Sequence, residues 1–221
     1  MARRPPRPPS VSGTSSSPDP GALPAQTAVR EEAVILFAEL RNFTRMSEML
    51  DAARVLAFAD QFFDCAAHAV DANGGESVAV HNDSLVVAFR AGGAAEQARA
   101  AVRAAQQLAV EFDTVVQAWE RDYGLRAAIA LGVHHGQVVF GEAGPAGQRR
   151  GVAFGDCVSI AERLVHRARA GELVLSHAVM GVVSVAELEL DAQPLPPLEL
   201  HNRPPMRIYG VLRNDRLDFT A

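Results

Sequence analysis

The sequence predicts an α+β protein of the ferredoxin-like sandwich type, with one antiparallel sheet and its helices on one face. Three observations carry that prediction. Apolar runs of strand length alternate with longer stretches whose apolar residues recur at helical spacing. Their order is strand, helices, two strands, helix, two strands, helix and further strands, with no internal repeat. The composition suits one domain plus a tail: 221 residues, 48% hydrophobic and 21% charged.

The elements follow in chain order. Residues 1–30 hold seven of the 13 prolines and a Ser/Gly cluster, too few apolar groups to offset chain entropy by burial, and read as a disordered tail. Its arginines, Arg3, Arg4, Arg7 and Arg30, suit either a solvated linker or contact with an acidic surface. A folded domain is expected over 31–213 and a second tail over 214–221. The run AVILFAEL (33–40) is the first strand. Met46, Met49, Leu50, Leu56, Phe58, Phe62, Phe63 and Ala66 then recur at helical spacing up to the stop at Gly74 and Gly75, giving two helices. ESVAVHNDSLVVAFR (76–90) is a hairpin turning at His81, Asn82 and Asp83. An alanine-rich amphipathic helix covers 94–122 and a strand pair 125–144. A helix runs from Gly155 to about Ala170, with Asp156 as its simplest N-cap. ELVLS is a strand, a short helix follows, and 186–190 and 206–212 are the last strand candidates.

Composition excludes one class of mechanism and argues against others. All 21 basic residues are arginine, so no mechanism can rest on a lysine amine. A net charge of −5 with pI ≈ 5.8 lacks the basic footprint of nucleic-acid binding. Cys65 and Cys157 have neither disulfide-framework nor zinc spacing and read as buried small hydrophobes in a reducing cytosol. No apolar run reaches membrane length and no signal peptide is visible, so the chain is expected to be soluble and cytoplasmic. His134 and His135 are adjacent on a strand, hence on opposite faces, and cannot ligate one metal together.

Two carboxylates remain at suggestive places: Glu39 at the end of the first strand and Asp83 at the hairpin tip. In a ferredoxin-like sheet these are neighbours, so both can serve one hard divalent cation, Mg²⁺ or Mn²⁺. After Glu39 the segment through Arg41, Asn42, Phe43 and Thr44 turns into a helix, whose free N–H groups would suit phosphate oxygens. Metal plus anion cradle points to a metal-nucleotide. The alternative is that both acids are ordinary capping and turn residues.

Four separated segments now carry a resemblance: FAELRNFT (37–44), AVHNDSLVVAF (79–89), GVHHGQVVFG (132–141) and GDCVSIAERL (155–164). In order and spacing they resemble the signature segments of class III adenylate/guanylate cyclase catalytic domains, and PLPPLELHNRPPMRIYGVL is similar to that family's closing strand pair. The resemblance implies a nucleotidyl-cyclase type of α+β fold that dimerises head to tail, as a homodimer or with a complementary cyclase-like chain. It implies conversion of a nucleoside triphosphate to a 3′,5′-cyclic nucleotide and pyrophosphate with divalent metal at the subunit seam. Residue by residue, it makes Glu39 and Asp83 the metal ligands, Glu39 standing where the family has aspartate. Ala79 and Val152 occupy the base-recognising positions, where neither can hydrogen-bond a base. Ser159 replaces the transition-state asparagine, and Arg163 retains the transition-state arginine. His201 or Arg203 lies nearest the closing strand's phosphate-facing lysine. Weak or partner-dependent turnover is one expectation; an inactive regulatory or heterodimerising module is the other.

Overall fold

The structure is a computed structural model that describes residues 28–145, 147–184, 188 and 190–212. The element order is β1 (Val29–Arg41), α1 (Phe43–Met49), α2 (Ala52–Ala72), β2 (Glu76–His81), β3 (Ser84–Phe89), α3 (Ala94–Tyr123), β4 (Ala128–Ala143), β5 (Arg150–Phe154), α4 (Asp156–Arg167), β6 (Glu172–Ser176), α5 (His177–Val182), β7 (Gln193–Leu200) and β8 (Arg203–Leu212). The strands form one sheet in the order β2-β3-β1-β4-β6-β8-β7, with β5 paired to β4.

The α+β class and the ferredoxin-like unit hold, since β2-β3-β1-β4 is antiparallel throughout. Two details differ from expectation. β6 pairs with β4 in parallel, Leu131 opposite Leu173, because the connection between them is a helical crossover rather than a hairpin. The helices also occupy both faces. Val34, Leu36, Ala38 and Leu40 of β1 point into a core shared with α2, α3 and α5. Ala33, Ile35 and Phe37 point the other way, against Cys157, Ile160, Ala161 and Leu164 of α4. β1 is therefore apolar on both sides, which is why it reads as a continuous run rather than an alternation.

On the first face Phe58, Phe62, Phe112 and Trp119 stack edge to face or tilted, and the Trp119 indole N–H donates to Gln61 Oε1 at 3.0 Å. On the second, α4 lies so close to β4 that a Cβ at Gly132 would come within 2.6 Å of the Ala161 carbonyl oxygen and 2.7 Å of the Val165 nitrogen. Only glycine allows that approach, and it fixes where α4 presents its outer side chains.

Other boundaries also moved. Segment 125–144 holds one 16-residue strand, not a pair; β5 pairs with it, as do β1 and β6. Gly141 lies inside the β4–β5 ladder, opposite Val152. β7 carries Pro194, Pro196 and Pro197, tolerable because it is the sheet edge. Of the strand candidate 186–190, residues 186, 187 and 189 lie outside the described residues and Leu188 is helical. β1 begins at Val29, inside the stretch 1–30 read as a tail; residues 1–27 and 213–221 lie outside the described residues. Cys157 is buried, but Cys65 only partly so.

Candidate active site

Glu39 sits near the end of β1, opposite Ser84 of β3 and Ala130 of β4, on the α4 side of the sheet. The next residue, Leu40, donates its backbone N–H to the Asp83 carbonyl at 2.8 Å. That bond ties the strand end to the two-residue turn at Asn82 and Asp83, where Asn82 takes φ 48. It brings the backbones of the two candidate residues to one corner of the sheet. Their surroundings differ. Asp83 is partly buried, and among the described residues its carboxylate has no hydrogen-bond or ion-pair partner.

Glu39 is engaged. Arg41, two residues along the same strand face, forms an ion pair with Glu39 Oε1, and His166 Nε2 of α4 lies 3.6 Å from Oε2. The Arg41 guanidinium also donates to the Val165 carbonyl and, at 3.1 Å, to the Ala168 carbonyl, satisfying the free end of α4. Arg41 is the residue that sequence reasoning passed over. The signal was available: residues i and i+2 of a strand share a face, and an arginine there reaches a glutamate more readily than an aspartate.

The expected phosphate cradle is smaller than predicted. α1 has seven residues, and its N-cap Asn42 is left-handed at φ 72 with no side-chain cap. The Asn42 amide instead donates to the Arg126 carbonyl at 2.6 Å. Phe43 packs against the core, and Thr44 is exposed. What this corner offers an anion is therefore backbone N–H.

The other candidates gather around α4 and β5. Ser159 and Arg163 lie one turn apart on the exposed side of α4. Arg163 donates to the Glu199 carbonyl at 3.5 Å and lines an open groove of about 590 Å³ with His166, Arg167, Leu198, Leu200 and His201. Asp156 is not the N-cap. Gly155 holds that position, and Asp156 is the first helical residue, paired with Arg203 at 2.6 and 2.5 Å. The Arg203 guanidinium holds the Asp156 carboxyl below the usual range. Of the two residues nearest the missing lysine's place, His201 thus faces the groove with Arg163, and Arg203 is occupied.

Ala79 is exposed on β2, and Val152 is half-buried on β5. Val152 lines a cleft of about 420 Å³ with Ser77, Val78, Phe140 and Gly141. At its mouth Arg90 lies over the Phe140 ring, 4.2 Å from the centroid, and pairs with Glu31 and, at 3.1 Å, with Glu76. Neither Ala79 nor Val152 offers a polar side-chain atom.

His134 points toward α4. Its Nδ1 lies 2.7 Å from Ser176 Oγ, and burial pushes its pKa down to about 4, so it is neutral at physiological pH. Cys157 beside it is pushed up to about 12 by burial and is an inert thiol. No group of three His, Cys, Asp or Glu side chains among the described residues could hold a metal ion. The candidate donors are two carboxylates, whose hard oxygens are of the kind that suits Mg²⁺ or Mn²⁺, and that of Glu39 is shared with Arg41. No helix among the described residues is long and apolar enough to cross a membrane.

Comparisons with known proteins bear on the fold and the family. An adenylate cyclase of Anabaena cylindrica is 28% identical over 131 residues, 59% of this chain and 26% of that protein. Adenylate cyclase 1 of Rhizobium meliloti (strain 1021) is 28% identical over 149 residues, 65% of this chain and 22% of that protein. The chain thus spans about a quarter of the curated relatives it matches. The crystal structure of the adenylyl cyclase CyaB from P. aeruginosa superposes with a TM-score of 0.77 at 22% identity, covering 86% of this chain and 97% of that one. The family profile of the adenylate and guanylate cyclase catalytic domain matches residues 26–212, and this chain belongs to that family.

Proposed function

We propose that the chain acts as a nucleotidyl cyclase, closing the ribose 3′-hydroxyl of a nucleoside triphosphate onto its α-phosphate with release of pyrophosphate. The observation that carries the proposal is the pairing of an unpartnered Asp83 carboxylate and Glu39 at one strand-end corner, with Arg163 held outward on a helix fixed to the same sheet. Membership of a cyclase catalytic-domain family supports nucleotidyl cyclase chemistry in general; the divalent-metal mechanism and the assembly are part of the proposal.

Asp83 and Glu39 would hold the ion, Mg²⁺ or Mn²⁺. When bound, it supplies positive charge at the nucleophile and the leaving group. The chain's own residues do the rest. Arg163 places a fixed guanidinium where negative charge accumulates on the transferring phosphoryl group. Ser159, one turn away, orients the ribose through a shorter arm than asparagine provides. Ala79 and Val152 hold the base by apolar contact without reading its edge, so discrimination between bases is low. Ser159, Arg163 and Ala79 are all exposed and therefore available to a second copy, or to a complementary cyclase-like chain whose carboxylates they would complete. Turnover is slow, because Glu39 is shared with Arg41 and no base-reading donor is present.

The test incubates the full chain at high concentration with Mn²⁺ and each of the four ribonucleoside triphosphates. The expected result is 3′,5′-cyclic product and pyrophosphate from more than one of them. Silence with all four leaves the non-catalytic reading, a regulatory or heterodimerising module.

A further inference from the structure

A groove of about 350 Å³ lies between α1 and α2, away from Arg163. It is lined by Phe43, Val55, Leu56, Ala59, Asp60 and Phe63, with Asn82 of the metal-corner turn at one end. Leu56 is 71% exposed, Phe43 and Phe63 are only partly covered, and Met49 nearby is 61% exposed. The surrounding charge is acidic. Asp60 and Asp64, one turn apart on α2, and Glu48 on α1 are exposed with no ion-pair partner among the described residues. Asp51 pairs with Arg54 at 3.3 Å, and Arg45 is the other cation of this surface.

The same chain carries a segment of matching chemistry. Its first ten residues, MARRPPRPPS, hold three arginines, four prolines and no acid. Proline fixes φ near the polyproline II value, so such a run is extended before it binds and loses little entropy on docking into an aromatic-lined groove. The dimensions agree. Ala52 to Phe63 on α2 spans about 16 Å at 1.5 Å per residue, and the four steps from Pro5 to Pro9 cover about 12 Å at 3.1 Å per residue, so the proline run fits within that length. The reach is sufficient. The groove sits beyond the Arg41 end of β1, about 40 Å from Val29 along the strand, whereas the 18 residues from 11 to 28 extend to roughly 60 Å.

We propose that the arginine- and proline-rich segment 1–10 docks in the α1–α2 groove of its own chain, prolines against Phe43, Phe63 and Leu56, and arginines toward Asp60, Asp64 and Glu48. Docking covers the apolar surface and braces the corner formed by Phe43 and Asn82. It is independent of whether the chain turns over nucleotide.

The experiment uses the full chain with a photoreactive benzoylphenylalanine in place of Pro6. Irradiation of dilute protein is followed by isolation of the monomeric fraction and mapping of the adduct by mass spectrometry. Adducts within 43–63 are expected, falling at least about fivefold in the R3S/R4S/R7S variant and at about 1 M salt, where exposed charge attraction is screened. Amide exchange over 52–63 should speed up about fivefold or more in the same variant without the photoreactive residue. Leu56→Asp, at an exposed position, should reduce the adduct while leaving the melting temperature within a few degrees. Adducts elsewhere, no adduct, or adducts only between chains and rising with concentration would overturn the proposal, the last pointing to a second copy as occupant.

Discussion

At the proposed metal corner the Glu39–Arg41 ion pair would compete with a bound ion for one carboxylate, and that competition can be measured. Both side chains are mostly buried, 16% and 22% exposed, so solvent screens the pair little. A hydrogen bond to a charged group contributes about 1.5–3 kcal/mol. An ion that needs the same oxygens must offset that amount, which at 1.4 kcal/mol per decade weakens its Kd by about 10–150-fold. Arg41→Met should therefore tighten Mn²⁺ binding by about that factor, read from the electron paramagnetic resonance signal of free Mn²⁺ during titration. The same change removes the donors to Val165 and Ala168 and should destabilise the fold by about 1–3 kcal/mol. Glu39→Asp separates the two effects. It retracts the carboxylate by one methylene, loosening the pair while Arg41 keeps its carbonyl contacts, so affinity should rise with little loss of stability. Asp83→Asn should abolish the tightened binding in either background. Unchanged Mn²⁺ affinity in both Arg41→Met and Glu39→Asp would refute the reasoning.

Arg163→Ala should lower cyclisation by about 10²–10³ with little change in melting temperature, since Arg163 is exposed and makes one long bond to the Glu199 carbonyl; an unchanged rate removes it from the chemistry. Gly132→Ala should cost about 1–3 kcal/mol in denaturant unfolding, because the new Cβ meets the backbone of α4 at 2.6 Å rather than a flexible side chain. His134 supplies a pH dependence. Its folded pKa lies near 4, lowered by burial and only partly opposed by Asp156, against about 6.5 unfolded. The unfolded state therefore binds the extra proton, and the stability is present above about pH 6.5 and lost as pH falls toward 4, by about 3 kcal/mol at most. Unfolding at pH 7.5 and 4.5 should show that loss, and His134→Gln should flatten it. Thiol reagents should label Cys65 well before Cys157, whose buried thiol is held near 12; equal labelling rates would mean that α4 lifts from the sheet.

Local chemistry made much of the fold legible. The β1 run, the Asn82–Asp83 turn and the helical spacing through Phe58, Phe62 and Ala66 each declare an element by period or turn residues alone. The missed features depend on long-range context. β7 was legible only through the resemblance of PLPPLELHNRPPMRIYGVL to a closing strand pair, because its prolines argue against a strand until its edge position is known. The second-face position of α4 follows from a crossover that no local pattern encodes, and only the close approach at Gly132 shows how tightly it packs. The nearness of positions 39 and 83 was legible because the hairpin and first strand had to be neighbours. Asp156 was misread because the cap preference of aspartate takes no account of Arg203, 47 residues away.

Arg41 shows why matching family positions does not by itself describe this site. Substituting glutamate for aspartate at position 39 preserves charge and ligand type, and on that basis alone the metal half looks intact. The extra methylene also brings the carboxylate within reach of a guanidinium on the same strand face, and that guanidinium is simultaneously bound to the end of α4. One side chain thus joins the carboxylate corner to the helix that carries Ser159 and Arg163. Loss of activity in an Arg41 variant would confound a freed metal site with a displaced helix, since both ends move together. The Glu39→Asp variant, which loosens the contacts of Glu39 with Arg41 and His166 but leaves Arg41 on the Val165 and Ala168 carbonyls, is the one from which the chemistry of the corner can be read.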